Sequence, residues 1–285
     1  MAGFPWPDGK KAAVALTFDV DGESIPHVYH PDGAAHRKLS LMSEHRYGPT
    51  VGLPRILDLF DLYEVKGTFF MPAYVAELHP EAVERIVRDG HQIGHHGYLH
   101  ERPDTVSDEL EEKILVKGIE VFENIAGVRP YGYRSPAWEL KPSSPDLIQR
   151  HGFRYDSSLM GDDVPYLVST AHGNLLEFPI HWIADDFPQF VQHGIGAPDN
   201  AFNVFAQEFE GIYQRGGLFT HTMHPFISGR PSRLLVLERL IRFMRGFPRV
   251  WWTTLDELAA YCARPEIQTA LRVEKPEIPE THWLS

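Results

Sequence analysis

Apolar residues run unbroken from Ala12 to Leu16, resume at Phe18, and stop at the acidic stretch Asp19-Val20-Asp21-Gly22-Glu23. Such a run reads as a strand buried on both faces that delivers carboxylates to its C-terminal end. Further along, the pattern alternates between helical and extended periods. It predicts a helix over Leu53 to Tyr63, a strand over Gly67 to Pro72, a helix over Pro80 to Asp89 and a strand over Gln92 to Gly94. A longer amphipathic helix is predicted from Ser107 to Ala126, with Leu110, Ile114, Ile119 and Phe122 near helical spacing and Gly127 placed to stop it. A strand or its exit loop follows at Gly132 to Ala137, then a helix at Ser144 to His151 and extended segments at Arg154 to Ser157 and Leu175 to Trp182. A helix at Ala201 to Arg215, a strand at Leu218 to Thr222, a helix at Arg233 to Arg245, a strand at Val250 to Thr253 and a helix at Leu255 to Cys262 close the alternation. Two stretches lack it. Residues 24 to 50, with many His, Pro, Ser and Tyr, read as a long loop near the site, and the chain from about 265 to 285 reads as a polar tail.

This βα alternation predicts an α/β fold, and no Gly/Ser or Pro-rich linker interrupts it, so residues 1 to 285 are expected to form a single domain. The 43% apolar content is enough to bury one large core. A formal charge of −12 and the lack of a basic run exclude a general nucleic-acid or anionic-membrane binder, because such partners need clustered Lys and Arg. No stretch approaches the roughly 20 apolar residues that span a bilayer, and the start MAGFPWPDGKK has no long apolar run, so a cytoplasmic location is expected. Cys262 is the single cysteine and sits in an amphipathic helix, where it reads as a buried structural thiol.

Asp19 and Asp21 lie two residues apart at a strand end and would project together. Two carboxylates held close need compensation from a metal, an Arg or a proton, although a solvated acidic turn would look the same in sequence. His96 and His100 have the i, i+4 spacing that puts two imidazoles on one helical face. With 16 His in the chain such a pair also arises by chance, and His91 with His95 is another. Three more polar elements follow predicted strands: Arg134-Ser135-Pro136-Ala137-Trp138, Asp156-Ser157-Ser158-Leu159, and His221-Thr222-Met223-His224-Pro225. Taken singly, Arg134 has a salt-bridge reading, Asp156 a turn-cap reading and His224 a core reading. In an α/β barrel, however, the C-terminal strand ends meet at one mouth, so these elements are expected to share one site.

The order of these motifs resembles the polysaccharide deacetylase family. Thr17-Phe18-Asp19-Val20-Asp21 is similar to its first motif, His96-Gly97-Tyr98-Leu99-His100 to its second, Arg134-Ser135-Pro136 to its third, the region of Asp156 to its fourth, and the stretch ending at His224 to its fifth. The resemblance implies a distorted (β/α) barrel with fewer than eight units and a site for zinc or another divalent metal. It implies Asp21, His96 and His100 as metal ligands, Asp19 as general base, His224 as catalytic acid, Arg134 as the residue that orients the base, and Asp156 as support for the acid histidine. Val20 separates the two Asp, which are adjacent in the usual motif. This spacing is similar to an atypical branch that includes peptidoglycan deacetylase-like proteins and cyclic imide hydrolases, and it leaves the division of roles between Asp19 and Asp21 open.

The implied activity is hydrolysis of a C–N bond other than a peptide bond. A small cyclic imide or related cyclic amide is favoured, because a cell-wall polymer lies outside the expected compartment. Phe187, Phe190, Trp138 and Trp182 are candidates for lining the pocket of a flat ring. The alternatives are N-deacetylation of an amino sugar or peptidoglycan, and a non-catalytic barrel scaffold. Relatives in this branch also suggest a homo-oligomer, possibly a tetramer, with the tail carrying Trp283 as a docking arm.

Overall fold

The computed structural model describes residues 4–192 and 197–279. Its strands, in chain order, are β1 (Ala12–Asp19), β2 (Thr68–Met71), β3 (Gln92–His95), β4 (Gly132–Tyr133), β5 (Tyr155–Asp156), β6 (Tyr166–Thr170), β7 (Gly173–Glu177), β8 (Leu218–Met223), β9 (Val250–Thr253) and β10 (Val273–Glu274). They form one sheet in the order β10-β6-β7-β5-β4-β3-β2-β1-β8, with β9 also paired to β1. From β7 to β8 every neighbouring pair is parallel, whereas β6 meets β7 in antiparallel sense. The chain beyond β7 then bridges β8 through Asp185 and Thr222, which joins the two ends of the parallel set. The result is a distorted (β/α) barrel whose C-terminal strand ends face one mouth.

Residue choice explains this arrangement. Every residue of β1 and of β8 is buried, the apolar ones in the core and the polar Thr17, Asp19, Thr220, His221 and Thr222 with them. Gly94 lies in β3 opposite Phe70, and a Cβ there would come within 2.2 Å of the ring, so only glycine lets β2 and β3 pair with Phe70 in place. The helix Asp108–Ala126 starts where the Ser107 side chain accepts from the backbone N–H of Leu110, and ends at Gly127 with φ of 64°. No described helix is long and apolar enough to cross a membrane.

Two expectations need correcting. Residues 24–50 are largely helical, with helices at Ser24–Tyr29 and Leu39–Tyr47, a 3-10 turn at Ala34–Arg37 and a π-turn at Gly48–Gly52. Their sequence shows little periodicity because tertiary contacts hold them: buried Glu23 accepts from Arg46 at 2.8 Å and pairs with His79 at 3.0 Å. The tail also packs on its own barrel. Ile267 and Leu271 are buried, and β10 adds to the sheet beside β6, so residues 265–279 are not a structureless tail. Trp283 lies outside the described residues.

Candidate metal and catalytic site

Asp19 is the last residue of β1, and Asp21 follows in a turn whose Gly22 has φ of 45°. One Asp21 oxygen, Oδ1, lies 3.5 Å from His96 Nε2 and 3.8 Å from His100 Nε2. The potential ligand atoms of these three residues all lie within 4.8 Å of one another, and all three side chains are buried. The histidines do not sit on a helix. They flank a loop after β3 in which Gly97 and His100 have φ of 74° and 63°, and this left-handed backbone turns both rings towards Asp21. His96 and His100 are therefore brought together by loop backbone and not by a helical i, i+4 face.

The donor set fits a divalent cation. His96 Nδ1 donates to the Arg134 carbonyl at 2.7 Å, which fixes the tautomer and leaves the Nε2 lone pair facing Asp21. Burial lowers the His100 imidazole to about 4, so it is neutral. Asp21 Oδ1 and His100 Nδ1 are buried without a hydrogen-bond partner among the described residues. Two imidazoles and one carboxylate would leave one position open on a tetrahedral ion. His95 points elsewhere. Its ring packs against Tyr133 and Phe153, with Gly118 so close that a Cβ would lie 2.0 Å from Nε2.

Asp19 lies beside this group and is held from behind. Arg134, fully buried, donates from Nη1 to Asp19 Oδ1 at 2.8 Å and to Thr17 Oγ1 at 3.0 Å, and from Nε and Nη2 to the carbonyl and hydroxyl of Ser157. Burial would raise the Asp19 pKa, but Arg134, with His96 and His224, outweighs it and keeps the carboxyl below its ordinary range. Arg134 thus holds His96 through its backbone and Asp19 through its side chain.

His224 follows β8, and its Nε2 lies 3.6 Å from Asp21 Oδ2. Its Nδ1 donates to Asp186 Oδ1 at 2.7 Å, and Asp186 Oδ2 accepts from the His224 backbone N–H at 2.9 Å and from Ser228 Oγ at 2.5 Å. Burial would lower the imidazole pKa, but Asp186, Asp185 and Asp21 overcome it and raise it well above the usual value. Asp185, Asp186 and His224 also have ligand-like spacing, but the donors already directed at Asp186 make this a hydrogen-bonded dyad. The carboxylate behind His224 is therefore Asp186, a correction to the expectation for Asp156. Asp156, at the end of β5, accepts from Ser158 Oγ at 2.7 Å and is the cross-strand neighbour of Glu177 in β7. Burial raises both of those carboxyls, which favours a proton shared between them. The sequence signal for Asp186 was the acidic pair Asp185-Asp186 after an extended segment, and it passed unused.

Asp19, Asp21, His96, His100 and His224 open into one cavity of about 310 Å³. Trp138, Trp182 and Phe187 line it, with the two indoles stacked at 4.0 Å, whereas Phe190 is buried in the core. Ile25, Val28 and Tyr29 close it from the Ser24–Tyr29 helix, so the 24–50 segment does border the site.

Comparison with known proteins places the chain among relatives of one family. The profile of the family described as polysaccharide deacetylase matches residues 7–155. A peptidoglycan deacetylase of Helicobacter pylori is 31% identical over 251 residues, covering 76% of this chain and 86% of that protein. A Mycobacterium smegmatis protein assigned to the polysaccharide deacetylases has a structure 40% identical in sequence, with a TM-score of 0.92 and 99% of both chains covered. The structure of the allantoinase PuuE, 24% identical, has a TM-score of 0.83 over 94% of this chain and 95% of its own, a likeness in fold.

Proposed function

Because the chain belongs to the polysaccharide deacetylase family, hydrolases of C–N bonds other than peptide bonds, we propose that it is a metal-dependent hydrolase of a small cyclic imide or related cyclic amide. The observation that carries this reading is the meeting of the Asp-His-His group, Asp19 and His224 in one small cavity walled by stacked tryptophans. About 310 Å³ suits a single ring, and the indoles offer it a flat apolar wall.

Asp21, His96 and His100 would hold the metal, which in sites of this donor type is typically zinc. When bound, it supplies Lewis acidity that polarises a carbonyl and acidifies water. Asp19, kept ionised by Arg134, accepts the proton of the attacking water. His224 enters as imidazolium, with Asp186 holding Nδ1–H, and donates its Nε2 proton to the departing nitrogen. Burial of the group keeps competing water from these charges.

A second reading is N-deacetylation of an amino sugar, favoured by the name of the Helicobacter pylori relative. Turnover by the metal-loaded protein of succinimide, hydantoin, allantoin and N-acetylglucosamine oligomers, measured side by side, decides between them. Hydrolysis of the small rings supports the first reading. Hydrolysis of the oligomers alone replaces it with the second.

A further inference from the structure

Ala137 and Trp138 are consecutive non-glycine residues with φ of 55° and 59°, a left-handed conformation that L side chains seldom adopt once, let alone twice running. The strain sits immediately after Arg134-Ser135-Pro136, and it is locked by Trp138 N–H donating to the Ser135 carbonyl at 2.9 Å. Its effect is to turn the Trp138 indole inwards over the cavity, where the ring is only 6% exposed. There Nε1–H donates to Asp19 Oδ2 at 3.4 Å, while the outer face of the ring stacks on Trp182. Trp182, 42% exposed, takes the solvent side of the pair.

We propose that Trp138 is a positioning residue for Asp19: its indole N–H fixes the outer carboxylate oxygen, as Arg134 fixes the inner one, so that the carboxylate presents its remaining lone pairs to the cavity. A wall of the pocket needs only an aromatic face, which phenylalanine supplies and which no strained backbone is required to deliver. An indole N–H aimed at the second oxygen of a carboxylate already paired to arginine is a more specific arrangement. Asp19 Oδ1 accepts from Arg134 and Oδ2 from Trp138, which leaves one lone-pair direction on each oxygen for water and its proton. Rotation of the carboxylate about its Cβ–Cγ bond would break both contacts together, so the two donors hold it at one angle to the attacking water. The inference rests on Asp19 being the base, the reading given above.

The test has two arms, and the first does not depend on activity. In zinc-loaded protein with ¹⁵N-labelled indoles, the chain's six tryptophans give six Nε1–H resonances. Trp138→Phe identifies the one belonging to Trp138 by its loss. Asp19→Asn, which keeps the packing and removes the carboxylate charge, is expected to move that resonance upfield and leave those remote from the cavity in place. An unmoved Trp138 resonance overturns the proposal whatever the substrate is. The second arm measures Trp138→Phe on whichever of succinimide or N-acetylglucosamine oligomers the wild type hydrolyses. The expected result is a kcat lower by roughly 10- to 100-fold, a KM within about threefold of wild type and unchanged zinc content. A raised KM with unaltered kcat reduces Trp138 to a wall and overturns the proposal. Absence of turnover by the wild type on both probes counts against the proposed function, and the resonance arm then decides the proposal alone.

Discussion

Arg134→Met separates the buried ion pair from the packing around it. The methionine keeps an unbranched apolar stem where the guanidinium now lies 4.2 Å from the Phe70 ring centre, so little packing volume is lost beyond the charged head. What disappears is the whole donor set: the Asp19 carboxylate loses its ion-pair partner, and Thr17 Oγ1, Ser157 Oγ and the Ser157 carbonyl lose a donor each. Asp19 is 1% exposed, so the few waters its cavity admits compensate the missing charge only in part. Breaking a buried pair by removing one partner costs about 3–5 kcal/mol. In a chain of 285 residues that corresponds to a fall in melting temperature of roughly 5–8 °C. Urea unfolding of metal-free protein at neutral pH, fitted for midpoint and slope, reads the loss directly. The double variant with Asp19→Asn is expected to lose less than the sum of the two single variants, because the second substitution removes the charge that the first left stranded. A single-variant loss below about 1 kcal/mol, or strict additivity in the double variant, would refute the claim that Arg134 and Asp19 are energetically one unit.

Asp19→Asn is expected to lower turnover by roughly 10²- to 10⁴-fold with metal content near wild type, whereas His96→Ala is expected to lose metal and activity together, as elemental analysis of the purified variants will show. If Asp19→Asn strips the metal and Asp21→Asn retains it, the roles of the two carboxylates are exchanged. Asp186→Asn is expected to lower kcat by roughly 10²-fold by freeing the His224 ring, with a larger loss on an acetamido sugar than on succinimide, since an imide nitrogen leaves with less need of protonation. Asp156→Asn is expected to spare kcat, and equal losses in the two variants would contradict the pairing of His224 with Asp186. Glu177→Gln tests the shared proton behind β5. Burial raises the Glu177 carboxyl well above its ordinary value, so the stability it contributes is full below the unfolded value and is lost as pH rises through the folded one. The variant, which cannot ionise, is therefore expected to gain on the wild type between pH 5 and pH 9 in urea midpoint, and a difference that does not change with pH contradicts the shared proton.

The alternation of extended and helical stretches made the barrel legible, and β1 and β8 match their expected bounds to within a residue or two. Short elements escaped. The β6 strand, antiparallel to β7 and followed by a tight turn, carries no alternation that sets it apart from a loop, and the helices of residues 24–50 are fixed by Glu23, Arg46 and His79. The residues at the metal group were legible from strand-end position, since a C-terminal strand end constrains where Asp21 and the segment after β3 must lie. Their local geometry was not, because the left-handed turn at Gly97 and His100 depends on backbone angles that spacing does not encode. Asp186 was missed for a similar reason. Its partnership with His224 spans 38 residues and arises from the bridge between Asp185 and Thr222 that closes the barrel, a contact with no periodic trace.

The central claim is that Asp21, His96 and His100 bind one divalent ion on which hydrolysis of a small cyclic amide depends. Its most direct test is a titration of chelator-stripped protein with zinc, following succinimide turnover and bound metal in the same samples. The account predicts turnover that rises in proportion to bound zinc, levels off at one equivalent per chain, and is absent from His96→Ala at every zinc concentration. Turnover that persists in the stripped protein, or that His96→Ala retains in full, would contradict it.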